Sequence, residues 1–598
     1  MENLSTAALV NKRFKQAHQA RLRYEREWKL DIAFYSGRQW VVYDPTSRRV
    51  VEWVPPGKKP RLVANLIMPV VRMEYARLTR NQPVFTVVAA SGDQDDVAKA
   101  KACRKFLEWL WHSQNWEKTF REALLWALVC GNAFVKVFWD PMAGPVVDAG
   151  DGPRALGDVA IDYLTPFEVF VDPFARTMEE AAWVIHARVR SVEYVEEKYG
   201  VRVAADASTV VSALEGSVRD RILYGAEGNL PAVMVKEYWE RPSSRHPRGR
   251  YAVVAANKVL YEGDNPYAAT CPIPFVMMKH LPAPDQFYGA SVVSHLRAIN
   301  VIYNKLRSDI IENTTKLSNP MLLAPVNALL REPSWEAGEV IPYNPIVGGN
   351  FTPIRVDPYP SHMVNTLLRI LQERDDISGV SEVSRGTVPR NVRSAAALAY
   401  LLEQDATRMN VVAYNWECFI GRALQYALNL ARQFYEVPRV LRVLGENAEW
   451  EAKLFKAEDI PPEADVRVVA GSTLPKSQVQ QQEFLLNLWD RRIVTDPRVV
   501  LRLTQYGSEE ELYSDLELDA AQAARENQRM LDGEEVVVED FHNHAVHIVE
   551  HNRLRKTVQY EELPEERKQI FRQHVAAHTA FLQQTIVQQA QQPRAGAR

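Results

Sequence analysis

From Ser291 to about Leu317, apolar residues fall at Val292, Leu296, Ile299, Tyr303, Leu306 and Ile310, steps of four and three that trace one stripe of a helix. At ~1.5 Å per residue such a helix reaches roughly 40 Å, long for one folded back into a single compact core. It is expected to project, or to pack against copies of itself. The period stops at Asn319 and returns at Met363, Leu367, Ile370 and Leu371, ending near Ile377 just before Gly379. Between the two stretches Pro320, Pro325, Pro333, Pro342, Pro345, Pro353, Pro358 and Pro360, with Gly348-Gly349, exclude any helix of useful length and leave short strands and turns.

After Gly379 comes a connection through Arg385, Gly386, Pro389, Arg390 and Arg393 to Ser394, longer than the ~2 to 8 residues usual between helices, and loops of that length tend to be functional. A third helix starts near Ser394 as N-cap and carries Leu398, Leu402, Met409, Val412, Trp416, Phe419, Ala423, Ala427 and Phe434 in register.

The first half reads as a mixed sheet with helices. Residues 6 to 35 form a charged amphipathic helix ending at Gly37, with Trp28, Ile32 and Tyr35 on one side and the basic residues elsewhere. Asn65 to Arg80 is a second helix, interrupted near its start by Pro69, and Val84 to Ala89 a strand. Val97 to Cys130 is helix in two segments, stopped in the left-handed region at Gly131-Asn132. Strands are expected at Ala133 to Trp139, Ile161 to Val171, Trp183 to Val189, Val233 to Trp239 and Tyr251 to Val254, with a hairpin between Gly144 and Gly157 and a basic turn from Arg241 to Arg250. Arg439 to Leu444 and Asp465 to Val469 are expected to return to the earlier sheet. From Lys476 the pattern is helical until the Gln-rich end, which is expected to fray. The fold class is α+β, predominantly helical.

With 598 residues, 46% hydrophobic and 25% charged, the chain has an ordinary globular composition and length for roughly four domains. Lysine plus arginine number 72 against 75 acidic residues, a net charge of -3, so any nucleic-acid contact must be local. Cys103, Cys130, Cys271 and Cys418 lie far apart, without zinc or dithiol spacing, which fits a reducing cytosol. Met1 to Phe14 lacks the apolar core of a signal peptide, and no membrane span is expected.

Several phrases together resemble the portal, or head-to-tail connector, proteins of tailed bacteriophages: Phe34-Tyr-Ser-Gly-Arg-Gln-Trp40, Asn65-Leu-Ile-Met-Pro-Val-Val71, Arg80-Asn-Gln-Pro83, Gly131-Asn-Ala-Phe134, Asp172-Pro173, Phe287-Tyr-Gly-Ala-Ser291 and Ser394-Ala-Ala-Ala. The likeness covers most of residues 25 to 435. It implies a ring subunit with 1–290 as a mixed α+β wing, 291–318 the first stem helix, 319–360 the clip, 361–378 the second stem helix and 379–394 the tunnel loop. Residues 395–474 would be a long wing helix with returning strands, and 475–598 a helical crown with a flexible tail. It further implies a homododecamer at one capsid vertex of the virion, assembled in the host cytoplasm, conducting double-stranded DNA without sequence preference during packaging and ejection. The terminase large subunit, the major capsid and scaffolding proteins and head-completion or tail adaptor proteins would be its partners. On this reading Arg385, Arg390 and Arg393 face DNA phosphates, Gly379, Gly386 and Pro389 shape the loop, and Trp335, Glu336, Glu339 and Tyr343 dock partners.

No catalytic constellation stands out, and no cofactor is expected. Gly57-Lys58 lacks the glycine (Glu52) and the Ser/Thr (Lys59) of a phosphate-binding loop. The chemical exception is Asp540-Phe-His542-Asn-His544-Ala-Val-His547-Ile-Val-Glu550-His551, where His547 and His551 share a helix face and could bind a metal. A metal-dependent hydrolase using this cluster is the alternative function, but the acidic Glu561, Glu562, Glu565 and Glu566 lie too near to complete the H-x-x-E-H arrangement. With His574 and His578 forming a second such pair, these histidines are expected on a polar, solvated helix surface. The tryptophans 109, 111, 116 and 126 are expected in the core or at a subunit contact.

Overall fold

A computed structural model of the chain describes residues 5–54, 59–88, 93–148, 153–205, 231–318, 322–323, 344, 346, 352–353, 357–379, 395–437, 439–444, 450–461, 464–469, 487, 489–491, 510–561 and 563–591. It divides into two compact units, Met1–Pro475 and Lys476–Arg598.

The first unit opens with α1 (Thr6–Tyr35), capped by Ser5, whose hydroxyl accepts from the Ala8 amide at 3.4 Å. Its charged residues are not all outside, as the amphipathic reading expected: Arg21, Glu25 and Asp31 are buried. Arg21 is satisfied in full. Its guanidinium donates to Glu25 and to the carbonyls of Pro166, Phe167 and Val169, and lies over the Phe170 ring. A buried arginine with this many acceptors ties α1 to the strand that begins at Val169.

α2 (Ile67–Leu78) runs unbroken through Pro69. Proline sits within the first turn, where the amide it lacks has no intrahelical partner, so the expected interruption does not occur. α3 (Gln94–Ser113) and α4 (Trp116–Cys130) are separated by Asn115 in the left-handed region, and α4 stops at Gly131 with φ +80°. The tryptophans behave as core: Trp111 and Trp116 are buried, and Trp111 stacks on Phe120 with ring centroids 5.2 Å apart.

Numbering strands in chain order, β1 (Val41–Asp44) and β2 (Arg49–Glu52) form a hairpin and β3 (Phe85–Val88) pairs far along the chain. β4 (Asn132–Asp140) is central in a three-stranded antiparallel sheet, between β7 (Asp158–Leu164) and β13 (Phe275–Lys279), while β5 (Val146–Asp148) and β6 (Pro153–Ala155) make the expected hairpin. A five-stranded antiparallel sheet runs in the order β12 (Lys258–Gly263), β11 (Arg250–Ala255), β10 (Ala232–Glu240), β9 (Trp183–Ser191), β8 (Val169–Val171), and α5 (Val192–Tyr199) follows β9. The single strand expected over Ile161 to Val171 is thus two strands in different sheets. The Thr165-Pro166 break bends the chain, and Glu168 accepts from the Thr165 amide at 3.0 Å. Lys136 of β4 meets Glu237 of β10 at 2.5 Å, an ion pair that locks the two sheets to each other.

Three helices follow: α6 (Val292–Ser318), α7 (Ser361–Ser378) and α8 (Ala395–Phe434). Each periodic stretch found in the sequence is a helix. Between α6 and α7, β14 (Leu322–Leu323) pairs with β15 (Thr352–Pro353). In α8, Met409, Val412, Trp416, Phe419, Ala423 and Ala427 are buried as the stripe required. β16 (Arg439–Leu444) pairs with β17 (Trp450–Phe455) and so does not rejoin an earlier sheet, whereas β18 (Asp465–Val468) does return, to β3.

The second unit contains α9 (Glu510–Asp532), α10 (His544–Leu554), α11 (Val558–Glu561) and α12 (Glu565–Gln591). Met530, Leu531, Tyr560 and Phe571 form its apolar cluster among the described residues. No described helix in either unit is long and apolar enough to cross a membrane.

Candidate functional site

The root of α6 is where separate sequence phrases meet. Ser291 caps the helix, accepting from the Ser294 amide at 3.0 Å, and donates to the Asp31 carboxylate of α1 at 3.0 Å. Arg297, six residues later, pairs with Asp31 at 3.2 Å and with Glu27. Burial pushes the Asp31 carboxyl up to about 7, against the pull of Arg297 and Ser291. Immediately before the helix, the Gly289 amide donates to Asn132 Oδ1 at 2.8 Å and Asn132 Nδ2 donates to Gly289 O at 3.4 Å. Gly131 lies so close that a Cβ there would stand 2.6 Å from Gly289 O and 2.7 Å from Ala290 C. Only glycine fits both this approach and the positive φ.

The buried stripe of α6 is not the apolar one read from the sequence. It runs Val292, Leu296, Asn300, Asn304, Ser308, apolar at the root and polar thereafter, while Ile299, Tyr303, Leu306 and Ile310 are only half-buried. The polar half grips an extended segment. The amides of Leu66, Ala64 and Leu62 donate to Asn300 Oδ1 (2.9 Å), Asn304 Oδ1 (2.9 Å) and Ser308 Oγ (3.0 Å). The match is geometric. Four helical residues advance ~6.0 Å and two extended residues ~6.6 Å, so side chains at i, i+4 and i+8 meet alternate amides of a strand running the other way. Asn300 and Asn304 also donate to Gln39 Oε1 at 2.6 and 2.7 Å, and Asn65 donates to the carbonyls of Phe34 (3.3 Å) and Tyr35 (2.9 Å). The spacing Asn-x3-Asn-x3-Ser carries the signal, which apolar periodicity does not reveal.

Beyond this mount α6 packs on α7, with Leu367 and Ile370 buried. Ile302, Ile311 and Leu317 of α6 and Val364, Leu368 and Ile377 of α7 remain exposed. Two neighbouring helices thus carry apolar side chains that the described residues leave exposed. Gly379 ends α7 in the left-handed region at φ +69°. Arg385, Gly386, Pro389, Arg390 and Arg393, and the residues Trp335, Glu336, Glu339 and Tyr343, lie outside the described residues, as does Ser394.

In the second unit the histidines are buried, which corrects the expectation of a solvated polar surface. His542, His544, His547, His551, His574 and His578 all pack inside. His547 and His551 share one face of α10, with Glu526 and Asn527 of α9 and His574 and His578 of α12 around them. Glu526, His547, His551 and His578 offer ligand atoms that all lie within 4.8 Å of one another. Glu550 is not in that group, so the H-x-x-E-H spelling does not describe the geometry. Burial would raise the Glu526 carboxyl, but its contacts with the facing histidines, His547 foremost, outweigh it and hold the group well below the usual carboxylate range.

Compared with known proteins, residues 11–473 match the family model described as Phage P22-like portal protein. No curated protein matches the chain.

Proposed function

Because the chain belongs to the P22-like portal family, a structural and not an enzymatic family, we propose that it forms the ring at a unique capsid vertex through which double-stranded DNA is packaged and ejected. The family implies an oligomeric ring associated with capsid and DNA in the virion; twelve subunits, assembly in the host cytoplasm, and docking of the terminase large subunit, scaffolding and head-completion or tail adaptor proteins are part of the proposal.

The observation that carries this reading is the mounted pair α6 and α7. A rod of 27 residues is fixed at its root by hydrogen bonds to the wing-like body, while its apolar flanks stay open. Copies arranged around an axis would cover those flanks and leave the more polar faces toward a bore. The chain's net charge of -3 suits a conduit, since each neutralised phosphate adds salt-dependent affinity and hence drag on a moving duplex.

Residues 319–360 would be the clip, with Trp335, Glu336, Glu339 and Tyr343 toward docking partners. The loop 379–394 would reach DNA through Arg385, Arg390 and Arg393, in contacts to phosphates that carry no sequence information. The metal-dependent hydrolase reading has no support from the family match.

Particle images of the purified chain test the ring: closed assemblies with a central hole of duplex width are expected, and a lone monomer would refute it. Replacing Arg385, Arg390 and Arg393 with Glu tests the loop. Reduced packaging and DNA retention are expected, and unchanged values would remove these residues from the conduit.

A further inference from the structure

We propose that Glu526, His547, His551 and His578 form a closed structural site for a late first-row divalent cation, zinc foremost, that staples α9, α10 and α12 of the C-terminal unit together.

The proton inventory of the cluster leads there. His551 Nδ1 lies 2.7 Å from Asn527 Oδ1, which can only accept, so Nδ1 carries the proton and Nε2 presents a lone pair. His574 Nδ1 lies 2.9 Å from the Val536 carbonyl, which fixes the same tautomer. His547 turns Nδ1 to Glu526 Oε2 at 3.1 Å, leaving its Nε2 as the acceptor. The Nε2 atoms of His547 and His551 are buried and have no hydrogen-bond partner among the described residues. Toward Glu526 Oε2 itself point His551 Nε2 at 3.6 Å and His574 Nε2 at 3.4 Å. Imidazole nitrogens that present lone pairs and a carboxylate oxygen therefore converge, with the His547 Nδ1–H beside them, in a buried region. Such an arrangement needs positive charge at its centre.

The donor set selects the ion. Three imidazoles and one carboxylate suit zinc and its neighbours, whereas magnesium and calcium take oxygen ligands. Four protein donors in a buried setting describe a closed site, not one with an open position for a substrate. Asn527 behind His551 is the outer hydrogen-bond acceptor that holds a ligating imidazole in its metal-binding tautomer. His578, held between His544 (Nδ1 to Nδ1 2.9 Å) and His574 (Nε2 to Nε2 3.2 Å), gives up one of these contacts on binding. Ligand atoms within 4.8 Å need only draw in to the roughly 3.4 Å edge of a tetrahedron with ~2.0–2.1 Å bonds. Such a staple also has a structural use, because the apolar cluster of the described residues here is small: Met530, Leu531, Tyr560 and Phe571.

The test is elemental analysis of the full chain, produced without a polyhistidine tag, stripped with a chelator, refilled with zinc chloride and dialysed. About one zinc per chain is expected from a site of this composition, with the same value for His362→Gln, an exposed histidine elsewhere. The pair His547→Gln/His551→Gln should fall to background, and Asn527→Ala should bind ~10–100-fold more weakly. Cobalt(II) in the unmutated chain should show the visible bands of a tetrahedral nitrogen and oxygen site, a readout that does not depend on any variant folding. A folded, refilled chain without retained zinc and without those cobalt bands would overturn the site, as would full zinc retention in the double variant. Neither result bears on ring formation, so this inference and the portal reading fail separately.

Discussion

Removing Asn300 should loosen the mount of α6 locally and by a calculable amount. Its carboxamide accepts from the Leu66 amide at 2.9 Å and donates to Gln39 Oε1 at 2.6 Å and Ala64 O at 3.2 Å. Asn300→Ala strands the Leu66 amide and the Ala64 carbonyl, whereas Gln39 Oε1 keeps Asn304 at 2.7 Å. Each stranded group costs ~1–3 kcal/mol when buried, and since the 62–66 segment is only half-buried the lower part of that range applies, giving about 2–4 kcal/mol in all. Because the chain has two units, a global denaturation midpoint would blur the effect. Amide hydrogen exchange reads it directly: protection at Leu66 should fall by about a hundredfold, that at Ala64 less, and that at Leu62, held by Ser308, least. Asn300→Asp keeps the acceptor for Leu66 but turns the donor into a carboxylate facing two oxygens, so it should be no better than alanine. Unchanged exchange at Leu66 in Asn300→Ala would show that the helix does not hold this segment through its side chains.

Gly131→Ala should destabilise the first unit by more than the ~1–2 kcal/mol of left-handed backbone strain alone, because the new Cβ meets backbone at 2.6 Å; a melting temperature within a degree of the original would contradict this. Burial would raise Glu25, but Arg21 with His18 outweighs it and draws the carboxyl from 4.5 down to about 2. A depressed acid stabilises the fold above its unfolded pKa and loses that contribution as pH falls through the folded one, so about 3 kcal/mol should disappear between pH 5 and 2. Glu25→Gln should flatten that part of the stability profile, and an unaltered slope would count against the pairing. Leu368, 61% exposed on α7, should tolerate Leu368→Asp within about 0.5 kcal/mol in the isolated chain while abolishing ring formation by mass photometry; intact rings would place the subunit contact elsewhere.

Helix periods, breaker residues and glycine stops are local properties, and they were legible. The sequence alone determined that α1, α6, α7 and α8 exist, that Gly131 ends α4, and that prolines interrupt the chain between α6 and α7, because each depends on a few neighbouring residues and their backbone preferences. Tertiary structure decided what those elements touch. Nothing local distinguishes Asn300, Asn304 and Ser308 from a solvated polar face until the 62–66 segment lies against them, and Arg21 reads as surface until three carbonyls from 166–169 surround it. The histidines show the same limit most sharply. Their spacing put pairs on one face of a helix, but whether that face meets water or the Glu526 carboxylate depends on helices remote in sequence. Burial and pairing are set by long-range packing, which a local pattern does not encode.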